Sequence, residues 1–176
     1  MKKICAVLLL LGMLLTYNIA YASTKEQIFA QVGNCMEKFQ RANQPKYLGH
    51  EYFDEFMGDP LDIYSLVYKT NTTSLVVNYY DRNLKQVGAW PYFSTTSPSY
   101  VIAGMKVGNS TKALAKSRNF YKNKGNKYSS DYEGGVLNFY YNKKGIITLI
   151  EYIYDDEPVA SSAWNFINGK VKANLE

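Results

Sequence analysis

His50 is the only histidine among 176 residues. That count removes the usual routes to a Ser/His/Asp or Cys/His catalytic centre and to a multi-histidine metal site. Cys35 lies 15 positions earlier, on a different predicted element. It could act as a nucleophile with His50 as base only if folding brought the two within hydrogen-bonding distance. Carboxylates cluster at Asp54, Glu55, Asp59 and Asp62, and again at Asp155-Asp156-Glu157. Paired carboxylates cleave glycosides when held about 5 to 10 Å apart across a cleft, but such clusters belong more often to solvated turns. The second run also lacks the alternating ligands of a calcium loop. Gly104, Gly108, Gly134 and Gly135 have neither the spacing nor the context of a phosphate-binding loop. The residues that could do chemistry therefore predict no catalytic group, no metal and no cofactor.

Charge is distributed unevenly. No acidic residue occurs from Arg82 to Ser130, while Arg82, Lys85, Lys106, Lys112, Lys116, Arg118, Lys122, Lys124 and Lys127 are basic. Such a stretch suits an anionic envelope polymer, a phospholipid surface or an acidic protein face. It is also what a solvated helix and loop rich in lysine would carry.

The first residues have the form of a secretory signal: Met1-Lys2-Lys3, an apolar run of 12 residues from Ile4 to Leu15, then Ala20-Tyr21-Ala22. Cleavage after Ala22 is expected, and the run is too short to span a bilayer comfortably. The remaining 154 residues make one compact domain or two small packed repeats. Loss of Lys2 and Lys3 takes the formal charge from +5 to +3, a poor match to nucleic acid. Cys5 leaves with the signal, so Cys35 has no disulfide partner and the mature chain relies on an apolar core. The expected location is outside the cytoplasm, periplasmic or secreted.

The elements that position these residues follow from periodicity. Ser23 to Arg41 reads as a helix, with Ile28, Val32, Cys35, Met36 and Phe39 on one stripe and Ser23/Glu26 as a capping box. On that stripe Cys35 is expected to be buried and inert. His50 to Met57 reads as a second, short helix stopped by Gly58-Asp59-Pro60. Strands are expected at Ile63–Tyr68, Leu75–Tyr80 and Leu84–Trp90. Pro91 to Pro98 reads as a connector between halves. A brief strand near Tyr100–Met105, a helix from Asn109 or Ser110 to about Tyr121 and a basic loop over Lys122–Ser130 come next. Tyr132–Tyr141 and Ile146–Tyr154 then form the strongest hairpin, and a last hairpin turns at Asn168-Gly169.

Tyrosine is abundant, 17 residues against eight Phe and two Trp, and most of it falls in strand-like runs. Tyr79-Tyr80-Asp81-Arg82-Asn83 and Tyr140-Tyr141-Asn142-Lys143-Lys144 match in character, each at a hairpin and each preceded by a predicted helix. Gly104-Met105-Lys106-Val107-Gly108-Asn109-Ser110-Thr111-Lys112-Ala113-Leu114 and Phe56-Met57-Gly58-Asp59-Pro60 add glycine-bounded motifs. On these residues the chain resembles exported bacterial domains with the fold of the β-lactamase inhibitor protein, a group that includes the SmpA/OmlA outer-membrane assembly lipoproteins. The chain departs from that group at Asn119-Phe120-Tyr121-Lys122, where a Gly-x-Pro ending is expected, and in lacking a lipid-attachment cysteine. The resemblance implies an exported adaptor or inhibitor whose sheet meets a protein, and it supplies no catalytic residues.

The resulting expectation is an α+β fold, with helices packed on an antiparallel sheet in two tandem helix-plus-hairpin repeats. The signal is assigned to 1–22, the first repeat to 23–98 and the second to 99–176. The expected function is non-enzymatic binding of an envelope protein through a Tyr-rich sheet face formed by Tyr79, Tyr80, Tyr140, Tyr152 and Tyr154. The alternative is binding of an anionic envelope polymer or membrane surface through the basic 82–127 stretch, with Lys116, Arg118, Lys122 and Lys124 at its centre.

Overall fold

The structure, a computed structural model, describes residues 23–172 and 175; the signal sequence expected at 1–22 and the extreme C-terminus lie outside the described residues. One helix opens the described chain. α1 (Lys25–Ala42) starts at Thr24, whose hydroxyl accepts from the Gln27 amide while the Gln27 side chain accepts from the Thr24 amide. The capping box thus sits one residue later than Ser23/Glu26, with the same reciprocal logic. Its buried stripe is Ile28, Val32, Met36 and Phe39.

Eight strands follow: β1 (Tyr47–Phe56), β2 (Asp59–Lys69), β3 (Thr73–Tyr79), β4 (Val87–Thr95), β5 (Tyr121–Asn123), β6 (Lys127–Tyr132), β7 (Gly135–Tyr141) and β8 (Ile147–Tyr154). They form a single antiparallel sheet in the order β1-β2-β3-β4-β8-β7-β6-β5. A second helix, α2 (Ser161–Ile167), closes the described fold. Among the described residues, one eight-stranded sheet with two helices overturns the expected layout of helices packed on a sheet in two helix-plus-hairpin repeats.

Each misread element has a physical cause. Tyr52, Phe53 and Phe56 have spacing that suits a helix, but β-favouring aromatics and pairing with β2 make 47–56 a strand. Met57 and Gly58, both at positive φ (53° and 98°), turn that hairpin in two residues instead of stopping a helix. The expected helix over 110–121 shrinks to a 3-10 turn at Leu114–Lys116, because its apolar stripe is too thin to hold more turns against the sheet. The basic loop is β5, a turn and β6. Pro91–Thr95 belongs to the central strand β4, not to a connector. Asn168-Gly169 ends α2 rather than turning a hairpin: Gly169 is left-handed (φ 73°), its amide bonds Phe166 O and the Lys170 amide bonds Asn165 O. The hairpin β7–β8 forms as expected, with Gly145 at φ 71° in its turn.

The two faces of the sheet are covered differently. Beneath α1 and the 100–120 segment lies the larger core, including Leu75, Phe93, Ile102, Leu114, Leu137, Phe139 and Ile150, all fully buried. On the other face α2 packs over Tyr47, Val67, Val76 and Tyr92 through Ala160 and Ala163. That second cluster draws no residue from β5, β6 or β7.

Candidate binding surfaces

The residues singled out for enzymatic chemistry do not converge. His50 projects from β1, bonds Asp62 on β2 and stacks on Tyr64 with ring centroids 4.3 Å apart. Cys35 is half-buried on α1, not fully buried as expected, and its thiol donates to Val101 O at 3.9 Å. Burial pushes the Cys35 thiol up, keeping it protonated, although Lys38 and the Val101 contact act in the opposite direction. No hydrogen bond joins Cys35 to His50. Asp54, Glu55, Asp59 and Asp62 are exposed on the β1–β2 hairpin. Among the described residues no group of His, Cys, Asp or Glu has the arrangement to hold a metal ion, and no helix is long and apolar enough to cross a membrane.

The five tyrosines separate into three environments. Tyr79 and Tyr152 are buried, at 5% and 9% exposure. Tyr79 lies on β3 beneath α1, its hydroxyl accepting from Gln40 Nε2 at 3.3 Å. Tyr152 pairs with Leu137 across the ladder, which puts it on the α1 face, where Phe29 meets it edge-on at 6.1 Å. Gly135 on β7 leaves the space for its ring: a Cβ there would come within 2.7 Å of it. Tyr140 stands on the opposite face, half-buried, donating to Glu151 Oε2 at 2.7 Å, with Lys127 Nζ 5.4 Å from its ring centroid. Tyr140 therefore does not share a face with Tyr152 and Tyr154. Simple alternation does not run the length of β8, because the ladder shifts register between Tyr140 and Tyr141 and brings Ile147 into the same core as Ile150 and Tyr152, and the relative phase of two strands depends on which residues pair.

Around Tyr140 the part of this face that α2 does not reach is polar and hydrogen-bonded. Tyr121 on the edge strand donates to Asp131 at 2.8 Å. Ser129 donates to Asn138 Oδ1 at 2.8 Å, both residues being buried between larger neighbours, and Asn138 Nδ2 reaches Glu151 at 3.4 Å. Burial first, and then the bond to Glu151, pushes the Tyr140 hydroxyl up, so it remains a donor throughout the physiological range. Tyr121, read in the sequence as the end of a helix and not as a site residue, stands instead on the edge strand β5.

Tyr80 and Tyr154 meet at a different place. β4 and β8 pair only over Tyr92–Thr95 and Ile150–Ile153, and Pro91 stands where the next partner of Tyr154 would be. Proline brings no amide to either neighbour, and the β3–β4 register shifts at the same point. The sheet forks there. The fork holds an open cleft of about 350 Å³ lined by Met36, Trp90, Tyr152, Tyr154, Tyr80 and Glu157. Gly88 lets the Tyr80 ring lie against β4, since a Cβ there would fall 2.4 Å from that ring. The Tyr80 hydroxyl donates to Glu157 Oε1, which also accepts from Asn78 Nδ2 at 3.1 Å. Ser65, Asn78 and the Pro158 carbonyl continue this network and tie residues 157–160 to β2 and β3.

The predicted basic residues Lys116, Arg118, Lys122 and Lys124 are all exposed, on the segment leading into β5, on β5 itself and on its turn. Comparison of the chain with protein-family models, curated proteins and solved structures finds no match.

Proposed function

We propose that this chain is an exported, non-enzymatic binding protein that holds another cell-envelope protein against the uncovered half of its sheet. One observation supports this reading above the others: the cluster under α2 reaches no further than Ile153 of β8, so Tyr121 and Tyr140 stand on a sheet face to which no element of that cluster is committed. Both rings are held by carboxylates. A tyrosine already ordered in this way loses little entropy on docking, and aromatic anchors of this kind carry much of an interface's energy. Export is the reading of the N-terminal pattern, and the resemblance to exported adaptor domains is consistent with it. A photo-crosslinker at position 140 of residues 23–176 should capture one envelope protein. With that partner purified, Tyr121→Ala/Tyr140→Ala should weaken binding at least tenfold without lowering the melting temperature appreciably. Unchanged affinity overturns the reading.

A second reading rests on the exposed Lys116, Arg118, Lys122 and Lys124, which together suit an anionic envelope polymer. Salt separates the two, because an electrostatic mode weakens steeply between low and physiological ionic strength, whereas aromatic anchoring does not.

A further inference from the structure

The fork between β4 and β8 is independent of the face that carries Tyr121 and Tyr140, and its lining has a chemical bias. Four of its walls are aromatic, Tyr80, Trp90, Tyr152 and Tyr154, and no lysine or arginine lines it. The polar atoms of two of those walls are already used: Trp90 Nε1 donates to Gln40 at 3.0 Å, and the Tyr80 hydroxyl donates to Glu157. What these two side chains have left for a ligand is their ring carbon, whose π faces carry negative density. Charge in the cleft comes from carboxylates. Glu157 lines it directly. Asp156 stands beside Tyr154, since a single methyl-sized point at Gly134 would lie 2.8 Å from Asp156 Oδ2 and 3.3 Å from the Tyr154 ring. Of the cations close in sequence to its lining residues, Arg82 and Lys85 are exposed on the β3–β4 turn and Lys38 is exposed on α1.

A sugar would need several convergent donors and acceptors around its ring, and this lining presents few. A neutral apolar ligand would leave the Glu157 carboxylate without a partner of opposite charge. An ammonium or guanidinium group satisfies both features, because cations are attracted to aromatic faces and to a half-buried carboxylate. The volume suits a single head group or one long side chain, at the lower end of ordinary ligand pockets.

We propose that the fork is a binding site for an organic cation, an alkylammonium or guanidinium group held between the rings of Tyr80, Trp90 and Tyr154 and paired with Glu157. Two sources share this chemistry, a free amine and the end of a lysine or arginine side chain.

The test follows the indole N–H resonances of the two tryptophans in the folded 23–176 chain. Trp90 reports the cleft, and Trp164 of α2, which packs edge-on against Tyr92, is the internal control. Choline and Nα-acetyl-lysinamide are titrated alongside 3,3-dimethylbutan-1-ol, the uncharged shape-mimic of choline, and N-acetylglucosamine. Saturable shifts at Trp90, without shifts at Trp164, are expected for the cations only. Tighter binding of choline identifies a free amine as the source, and tighter binding of the lysinamide identifies a side chain. Glu157→Gln, which keeps shape and hydrogen bonds but removes charge, should weaken binding roughly tenfold, and Tyr154→Leu should do the same by removing a ring face. No saturable shift with either cation overturns the proposal. So does equal binding of the neutral alcohol, a preference for the sugar, or cation affinity unchanged in both variants. The Tyr121/Tyr140 variant of the preceding section should bind these cations normally, so failure of one reading leaves the other intact.

Discussion

Two glycines show how the same added methyl group has different consequences according to what it meets. At Gly88 a Cβ would collide with the outer ring atoms of Tyr80, a side chain that is 44% exposed. Tyr80 can swing outward, so Gly88→Ala is expected to change stability by less than about 1 kcal/mol, within the usual range of surface substitutions. Its effect falls on the cleft, because Glu157 loses the Tyr80 donor. At Gly49 the same atom would meet Ser162 Oγ at 2.7 Å, Ala160 Cβ at 3.0 Å and the Ala163 amide nitrogen at 3.1 Å. Helix backbone cannot step aside, and Gly49→Ala should cost about 1–3 kcal/mol by overpacking. Urea denaturation of both variants checks the contrast; equal losses would show that α2 does not seat on Gly49. Buried tyrosines add a pH dependence at this scale. Burial pushes both Tyr79 and Tyr152 up to about 12, with a neighbouring tyrosine adding to each. Between the unfolded value near 10 and 12 the unfolded chain has released these protons while the folded chain keeps them. Stability is therefore fully present below pH 10 and falls as pH rises through 12. Unfolding free energy measured from pH 8 to 12 should decline over that window, and Tyr152→Phe should flatten the decline.

At the scale of elements, legibility in the sequence depended on whether a local signal had one meaning. α1 was readable because five apolar residues recur at helical spacing over about three turns, and β7–β8 because Asn142 to Gly145 suits only a turn. Asn168-Gly169 has two meanings, hairpin turn or helix end, and only the apolar face of Ala163, Trp164 and Ile167 against β1 and β2 selects the second. Tyr47–Phe56 is an edge strand whose burial alternates, Tyr47, Gly49, Glu51 and Phe53 being less exposed than His50, Tyr52 and Asp54, but a glycine and a glutamate fill two of the inward positions, so no apolar alternation is written in the sequence. The tyrosine site was legible in composition but not in geometry. That Tyr152 is core while Tyr140 is surface follows from the pairing Leu137↔Tyr152, and the fork follows from β4 lying beside β8, which no local pattern contains. α2 itself makes a test. Nothing lies within 4 Å of a Cβ at Gly169, so Gly169→Ala meets only the left-handed backbone penalty of roughly 1 kcal/mol. The variant should lower the melting temperature modestly and change Trp164 fluorescence while leaving the Trp90 indole resonance in place. A shift at both would mean that the helix end and the cleft are coupled.

For the whole molecule, two four-stranded meanders, β1–β4 and β5–β8, are joined by only four residue pairs, Tyr92↔Ile153 to Thr95↔Ile150. Such a short ladder by itself suggests two parts that could come apart. The core argues otherwise. α1 belongs to the first half in sequence, yet its residues share one cluster with Leu75 and Phe93 from the first meander and Leu137, Phe139 and Ile150 from the second. Lys25 Nζ also bonds Asp131 O on β6, and the Ala103 amide bonds Gln31 on α1. Separating the meanders would strip both of apolar cover and expose the full edges of β4 and β8, and large exposed apolar surface combined with free edges favours aggregation over a stable half. The expected behaviour is one cooperative transition. Far-UV circular dichroism, which reports the whole sheet, and tryptophan fluorescence, which reports Trp90 and Trp164, should give coincident urea curves. Residues 23–98 and 99–176 made separately should remain unfolded alone. Phe93→Ala, which opens a cavity at the seam, should lower stability by about 3–5 kcal/mol and move both curves together. Two resolved transitions, or a half that folds alone with protected amides, would show that the four-pair seam and not the shared core governs how the molecule holds together.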